Sequence, residues 1–179
     1  MKNKYSFLLL FAAFCCLGVQ CKEDDDSYAK ELAKLPPYTK KGYNTFGCLI
    51  NGKAFPQSSE GYHRRLMYFY GGELHINYQT LFNDFDINES ITIKTNKISS
   101  VGEYYILPVV GEDQFSVKFQ DESYGSIYPS NRGVFVYIGI DRLDTINQIV
   151  SGRFSFTLND LSGAKKVTVE HGRFDYQYQ

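Results

Sequence analysis

From residue 45 to the end of the chain, apolar and polar residues alternate in short runs, and this period of two constrains the fold more than any other feature of the sequence. Such alternation is typical of strands in half-buried sheets. Asn51-Gly52 and Gly71-Gly72, which separate successive runs, are strong hairpin signals because tight hairpin turns need positive φ. Beyond Pro37 no helical pattern of ten or more residues occurs. The sequence therefore predicts an all-β domain.

About ten short strands make up this predicted domain. They cover residues 45–50, 53–55, 65–70, 73–79, 90–95, 103–107, 115–120, 133–140, 149–158, 165–170 and 173–178. Both faces of 133–140 are apolar, which predicts a central strand. Many short strands separated by turns, with no β-α-β rhythm, predict an antiparallel β-sandwich or a partly closed β-barrel.

Composition and motifs exclude several functional classes. The chain of 179 residues contains 15 Tyr, 14 Phe and no Trp, and its net charge is −1, so a basic surface for nucleic acid is not expected. None of the three histidines lies in a zinc motif. The D-x-D-x-N run at 84–88 lacks the Gly and Glu that a calcium loop needs further along. We therefore predict no metal, no cofactor and no catalytic motif.

The first twenty residues have the pattern of a targeting segment. Lys2 and Lys4 precede the apolar run 5–17, which at about 13 residues is shorter than the roughly 20 that span a bilayer. Such a run is typical of a signal peptide. Cys21 follows, and after it the chain becomes charged at once, which resembles a bacterial lipoprotein signal. The resemblance implies that Cys21 becomes the lipidated first residue of the mature chain.

Several alternatives remain open at this segment. Gly18 and Gln20 stand where lipoprotein signals usually have Leu and a small residue, and Cys15 and Cys16 are rival lipidation sites. A plain secretory signal or an uncleaved anchor would also place an apolar run here. Removal of residues 1–20 leaves 17 basic and 20 acidic residues, a net charge of −3, which gives no attraction to anionic surfaces.

The charged run after Cys21 has two interpretations. It consists of Lys22, Glu23, Asp24, Asp25 and Asp26. An acidic run of this kind is usually a solvated spacer. It also resembles the surface-export signal of Bacteroidota lipoproteins, which implies lipid anchoring at the cell outer membrane with the domain exposed at the surface; a periplasm-facing domain is the alternative.

We divide the chain into a signal peptide at 1–20, a lipidated Cys and tether at 21–43, and a single β domain at 44–179. Within the tether, Ser27 is a suitable N-cap for a short helix over 27–35, and Pro36-Pro37 ends it. In the domain, Cys48 shares a strand face with Phe46 and Ile50, so we expect a buried, inert thiol.

The strongest candidates for ligand contacts in the sequence are the cationic and aromatic residues near the start of the domain. They are Tyr62, His63, Arg64, Arg65, Tyr68 and Tyr70. A cationic cluster can bind phosphate or carboxylate, and exposed tyrosines provide contact area for sugars or protein partners. The alternatives are a solvated loop and tyrosines that belong to the core or the sheet edges. Thr145 lies in an Asp-Thr-Ile triplet that resembles the O-glycosylation signal of exported Bacteroidota proteins.

Two sequence blocks carry a family resemblance. N-T-F-G-C-L-I-N-G-K-A-F-P at 44–56 is preceded by L-P-P at 35–37, and I-V-S-G-R-F-S-F at 149–156 is followed by G-R-F-D at 172–175. Together these blocks resemble the start and end of a family of uncharacterised Bacteroidota lipoproteins, apart from Phe55, where a Trp is usual. The family has no assigned activity, so the resemblance implies a fold and an anchor but no catalytic residue.

These observations favour a lipid-anchored envelope protein that acts as a non-enzymatic binding or interaction module. The expected partners are the membrane, through the anchor, and a glycan, a peptide or an outer-membrane protein. One alternative is a hydrolase whose acidic or His-acid site is assembled by the fold. Another is a structural component of the envelope without a small ligand.

Overall fold

The computed structural model describes residues 23–56, 62–81, 87–96, 98–106, 115–121, 126–129 and 133–178. In these residues there are one helix, α1 at Glu23–Ala33, and eleven strands. The strands are β1 Thr45–Ile50, β2 Lys53–Phe55, β3 Tyr62–Tyr70, β4 Glu73–Leu81, β5 Ile87–Thr95, β6 Gly102–Ile106, β7 Phe115–Asp121, β8 Ser126–Pro129, β9 Gly133–Asp144, β10 Ile149–Asn159 and β11 Lys166–Gln177. Within the described ranges no helix is both long and apolar enough to cross a membrane.

The strands form two antiparallel sheets. One has six strands in the order β2-β1-β11-β10-β9-β6, and the other has five in the order β3-β4-β5-β7-β8. No ladder joins the two sheets among the described strands, so the predicted all-β sandwich is confirmed and the barrel alternative is not. The register of β10 on β11 and of β10 on β9 shifts at bulges, which twist the six-stranded sheet.

The core lies between the two sheets and is rich in aromatic rings. Phe46 from the six-stranded sheet stacks on Tyr78 from the other sheet, with ring centroids 4.8 Å apart, and on Phe154 at 5.3 Å. Such pairs add to the free energy gained from apolar burial. Cys48 is fully buried among these residues, as predicted, and burial raises the pKa of its thiol.

Some element bounds differ from the sequence-based expectation. Helix α1 begins at Glu23 rather than at 27, because acidic side chains favour the positive end of the helix dipole. The two strands predicted at 165–170 and 173–178 are one strand, β11, which a bulge at His171 interrupts. Strand β8 was not predicted because four residues are too few for a periodic pattern.

After α1 the chain crosses the outer face of the six-stranded sheet, and we call residues 35–43 the strap. Leu35 is buried against Leu49 and Ala54 in a small second core. Pro36 packs on Gly47, where an added Cβ would lie 2.5 Å from the proline Cδ. Glycine at this position therefore lets the strap approach the sheet backbone closely.

The second half of the strap is held by a buried carboxylate. Asp175 on β11 is 1% exposed and accepts hydrogen bonds from the strap through both of its oxygens. Its donors are Thr39 Oγ1 at 2.6 Å and the backbone N–H groups of Lys41 at 3.0 Å, Gly42 at 2.7 Å and Tyr43 at 3.2 Å. Much of the segment predicted as a tether is therefore bound to the β domain.

Candidate functional site

A groove of about 290 Å³ lies between the strap and the outer face of the six-stranded sheet. Its lining comprises Tyr38 from the strap, Tyr137 from β9, Arg153, Phe154 and Ser155 from β10, and His171, Gly172 and Arg173 from β11. The three strands are neighbours in the sheet, so the floor is rigid backbone that is hydrogen-bonded on both sides. The groove therefore presents side chains, and not free strand edges, to a ligand.

Two arginines face each other across the floor of this groove. Arg153 on β10 is the direct cross-strand partner of Arg173 on β11. Like charges that lie directly opposite on neighbouring strands repel each other and destabilise the sheet. Asp141 compensates one of them, because it accepts hydrogen bonds from Arg153 Nε and Nη2, each at 3.0 Å. A bulge in β9 between the partners of Ser151 and Gly152 makes Asp141 the extra residue and brings it beside Arg153.

The other arginine has no such compensation. Arg173 is partly buried, and in the part of the chain that the structure describes its guanidinium forms no hydrogen bond and no ion pair. Burial lowers the pKa of Arg173, since the charged guanidinium loses hydration there. An arginine nevertheless stays protonated in proteins. The groove thus contains one positive charge without a described counter-ion.

In the pair of Arg153 and Asp141, each side chain stabilises the charged form of the other. Partial burial raises the pKa of Asp141, but the hydrogen bonds from Arg153 and the adjacent charges outweigh that effect, so its pKa lies below the ordinary value. Hydrogen bonding to Asp141 raises the pKa of Arg153. The Tyr38 hydroxyl lies beside this pair, and burial together with the carboxylate raises the pKa of Tyr38. All three groups keep their ordinary protonation states at neutral pH.

An aromatic platform, formed by Tyr105, Phe135 and Tyr137, adjoins the groove on the same sheet face. The ring of Tyr105 lies 6.1 Å from that of Phe135 and 5.3 Å from that of Tyr137, and 64% of Tyr105 is exposed. Glu103 accepts hydrogen bonds from the hydroxyls of Tyr105 at 2.9 Å and Tyr137 at 3.3 Å. Gly139 leaves room for Tyr137, because a Cβ there would lie 2.5 Å from the hydroxyl oxygen.

At the other end of the groove, His171 is held by the helix. Its Nε2 lies 2.9 Å from the hydroxyl of Tyr28 on α1, and the two rings meet edge to face at 6.1 Å. Ser155 lines the same groove, but no hydrogen bond joins it to His171 among the described residues. The lining residues include no carboxylate. This arrangement offers hydrogen-bond donors rather than an activated nucleophile.

The ligand contacts expected from the sequence lie elsewhere, on β3 at the edge of the five-stranded sheet. Arg64 and Tyr70 are exposed, and Tyr68 donates a hydrogen bond to Glu73. Arg65 Nη1 donates to the backbone oxygen of Asn44 at 2.6 Å. The alternation along a strand directs Arg64 and Arg65 to opposite faces. Arg64, Tyr68 and Tyr70 therefore share one face of β3 and Arg65 lies on the other, so the structure brings only part of this set together.

The structure describes only some of the residues in that set and in the predicted lipidation and export signal. The side chains of Tyr62 and His63 lie outside the described part of the structure, and so do Cys21 and Lys22. Glu23, Asp24, Asp25 and Asp26 form the first turn of α1, and Asp26 is exposed. Thr145 lies in the exposed turn between β9 and β10. Within the described ranges, no cluster of His, Cys, Asp or Glu is arranged to hold a metal ion.

The groove residues were missed by sequence reasoning, although one signal pointed to them. The apolar residues on both faces of 133–140 predicted a central strand, and β9 indeed lies between β10 and β6. Its second apolar face is not a core, however, since 44% of Phe135 is exposed. Exposed apolar patches are common at interaction sites, so this uncovered aromatic strand face is a candidate binding surface.

The chain matches no protein-family model, no curated protein and no solved structure. Inferences about its function therefore start from the groove and from the sequence itself.

Proposed function

We propose that this protein is a non-enzymatic binding module, held at the bacterial outer membrane by a lipid on Cys21, and that it binds its ligand in the groove beside the strap. The observation that carries this proposal is the partly buried Arg173, which faces Arg153 and has no counter-ion in the described structure. A desolvated, unpaired charge costs free energy of folding. A negatively charged ligand would pair with Arg173 and offset this free-energy cost when it binds.

A hydrolase is supported less well by the same geometry. Acid–base catalysis of hydrolysis needs a carboxylate pair or a His-acid pair within reach of the substrate. The groove holds His171 without a carboxylate, and Asp141 is engaged by Arg153 through both oxygens. A purely structural role is also less well supported, because it gives no reason for an unpaired, partly buried arginine or for an exposed aromatic platform.

A variant that fills the groove tests the binding function. We expect Ser155→Trp to place an indole in the groove and to lower ligand affinity at least about tenfold, the equivalent of roughly 1.4 kcal/mol. The measurement is binding of the purified full chain, in detergent, to glycan and peptide arrays. Leu161→Trp is the matched control, because Leu161 is exposed in a turn away from the groove. Equal array binding by both variants and the wild type would place the site elsewhere; an array without any ligand would contradict the binding function.

The anchor has its own test. We expect the mature N-terminus to be an acylated Cys21, detected by mass spectrometry of protein extracted from native membranes. Acyl chains contribute about 0.8 kcal/mol per buried CH₂, and two chains make release slow. Cys21→Ala should therefore move the protein out of the membrane fraction, whereas Cys16→Ala should not. An unmodified Cys21 thiol in native material would refute lipid anchoring at this residue.

A further inference from the structure

We propose, building on the binding function above, that the ligand of the groove is an acidic sugar whose carboxylate pairs with Arg173 while its ring packs against the aromatic platform. A guanidinium presents a planar fork of donors that matches a carboxylate in geometry and charge. Of the two guanidiniums in the described groove, that of Arg153 is bound by Asp141, and a second carboxylate, Glu103, lies at the aromatic platform. Arg173 is the guanidinium without a described counter-ion, so a ligand carboxylate would pair with it.

The expected position of the ligand carboxylate follows from the way Asp141 binds Arg153. Asp141 occupies Nε and Nη2 of Arg153 and thereby fixes that side chain on the sheet. Arg173 pairs with Arg153 on one side and with Gly47 on the other. Pro36 of the strap packs on Gly47, so Arg173 lies beside the strap. A carboxylate bound to Arg173 would therefore pair with the one arginine of this pair whose charge is not compensated, since Asp141 already binds Arg153.

The remaining groups of the groove suit a polyhydroxylated ring. Tyr38, Tyr137 and Ser155 line it. The Tyr137 hydroxyl, which donates to Glu103, can accept a hydrogen bond from a sugar, and the Ser155 hydroxyl can donate or accept one. The aromatic platform at its rim gives rigid, amphipathic surface on which the C–H face of a pyranose can pack. A volume of about 290 Å³ lies at the small end of ligand sites, which fits a short saccharide.

An acidic peptide is the competing ligand, and the backbone of the floor disfavours it. Extended peptides commonly bind by adding a strand to an exposed sheet edge. Strands β9, β10 and β11 are each hydrogen-bonded to neighbours on both sides, so the groove floor offers no edge. Recognition here depends on side chains alone, and these are hydroxyls, aromatic rings and guanidiniums.

The test is calorimetric titration of the purified full chain with trisaccharides of glucuronate, galacturonate and mannuronate. The same trisaccharides as methyl esters, which lack the charge, and triglutamate are the comparison ligands. We expect one of the acidic trisaccharides to bind, and its ester to bind roughly 10- to 100-fold more weakly, as expected for loss of a charge-assisted hydrogen bond. Arg173→Gln should lower the affinity for the acidic trisaccharide by the same factor and leave the affinity for its ester unchanged.

Two controls separate recognition from folding. Arg173→Gln should melt at the same temperature as the wild type or higher, because it removes a like-charge repulsion and no described partner. Arg64→Gln, at an exposed arginine on the other sheet, should bind as the wild type does. Tyr105→Ala should lower the affinities for the acidic trisaccharide and for its ester by equal factors, because it removes a packing contact and not a charge.

Any different result would contradict a particular part of the proposal. Equal affinity for acid and ester would refute the role of the carboxylate, although the groove would remain the binding site. Triglutamate binding that depends on Arg173 and exceeds that of every trisaccharide would assign an acidic peptide instead. If no acidic trisaccharide binds, the sugar assignment fails, while the array experiment with Ser155→Trp still decides the binding function.

Discussion

Replacing Asp175 with alanine is expected to lower the free energy of unfolding by about 2–4 kcal/mol and to release the strap from the sheet. The buried carboxylate accepts hydrogen bonds from Thr39 and from three successive backbone N–H groups. Hydrogen bonds to charged groups contribute roughly 1.5–3 kcal/mol each, but strap donors that detach can be hydrated, which limits the loss. Urea titration measures the stability, and hydrogen exchange at Lys41, Gly42 and Tyr43 measures strap release.

Asp160 provides the comparison for this variant. It also accepts hydrogen bonds, from Ser162 and from the Lys165 amide, but it does so in an exposed turn. Asp160→Ala should therefore change the urea midpoint much less than Asp175→Ala. An unchanged midpoint together with unchanged exchange of the three strap amides in Asp175→Ala would refute the role of Asp175 as the lock of the strap.

The same carboxylate should make stability depend on pH in the acid range. Burial raises the pKa of Asp175, but the hydrogen bonds from Thr39 and the strap amides outweigh burial and hold its pKa below the ordinary value. A group with a depressed pKa stabilises the fold above its unfolded pKa, which is about 3.9 for Asp, and this stabilisation is lost as pH falls through the folded value. Below about pH 4 the wild type should lose stability with falling pH more steeply than Asp175→Asn. Parallel curves for the two proteins would exclude this linkage.

The second large effect is expected at Gly152, where Gly152→Ala should destabilise the fold by at least about 3 kcal/mol. An added Cβ would lie 2.1 Å from the backbone oxygen of Gly139 and 2.9 Å from Cζ of Phe174. A backbone atom of a central strand cannot move aside as a flexible side chain can. Either β9 must separate from β10 or the Phe174 ring must leave its place in the core. Thermal and urea denaturation report the loss.

The neighbouring residue supplies a matched comparison. Ser151 is fully buried, and its hydroxyl has no hydrogen-bond partner in the described structure. Removal of an unsatisfied buried hydroxyl recovers its desolvation cost, so Ser151→Ala should be neutral or stabilising. Opposite outcomes at two adjacent residues would show that close packing, and not general sensitivity of β10, decides the result. A Gly152→Ala protein as stable as the wild type would refute the close approach of β9 and β10.

The expected β3 site and the observed groove illustrate how far sequence reasoning reaches. His63-Arg64-Arg65 is a compact cationic run along the chain, yet alternation in a strand directs neighbouring side chains to opposite faces. Arg153 and Arg173 are twenty positions apart and become neighbours only through the pairing of β10 with β11. Adjacency along the chain was therefore a poor guide to adjacency in space.

The residues that face the core can be predicted from the sequence alone, because a period of two assigns side chains such as Leu74, Ile76 and Tyr78 to one face wherever the strand lies. Turn chemistry at Asn51-Gly52 likewise needed no tertiary information. Apart from the two predicted hairpins, the neighbours of each strand, the bulges that shift the register and the position of the strap across the sheet could not be predicted from the sequence. These depend on contacts between residues far apart in sequence, and a one-residue bulge changes which polar side chains meet on the outer face.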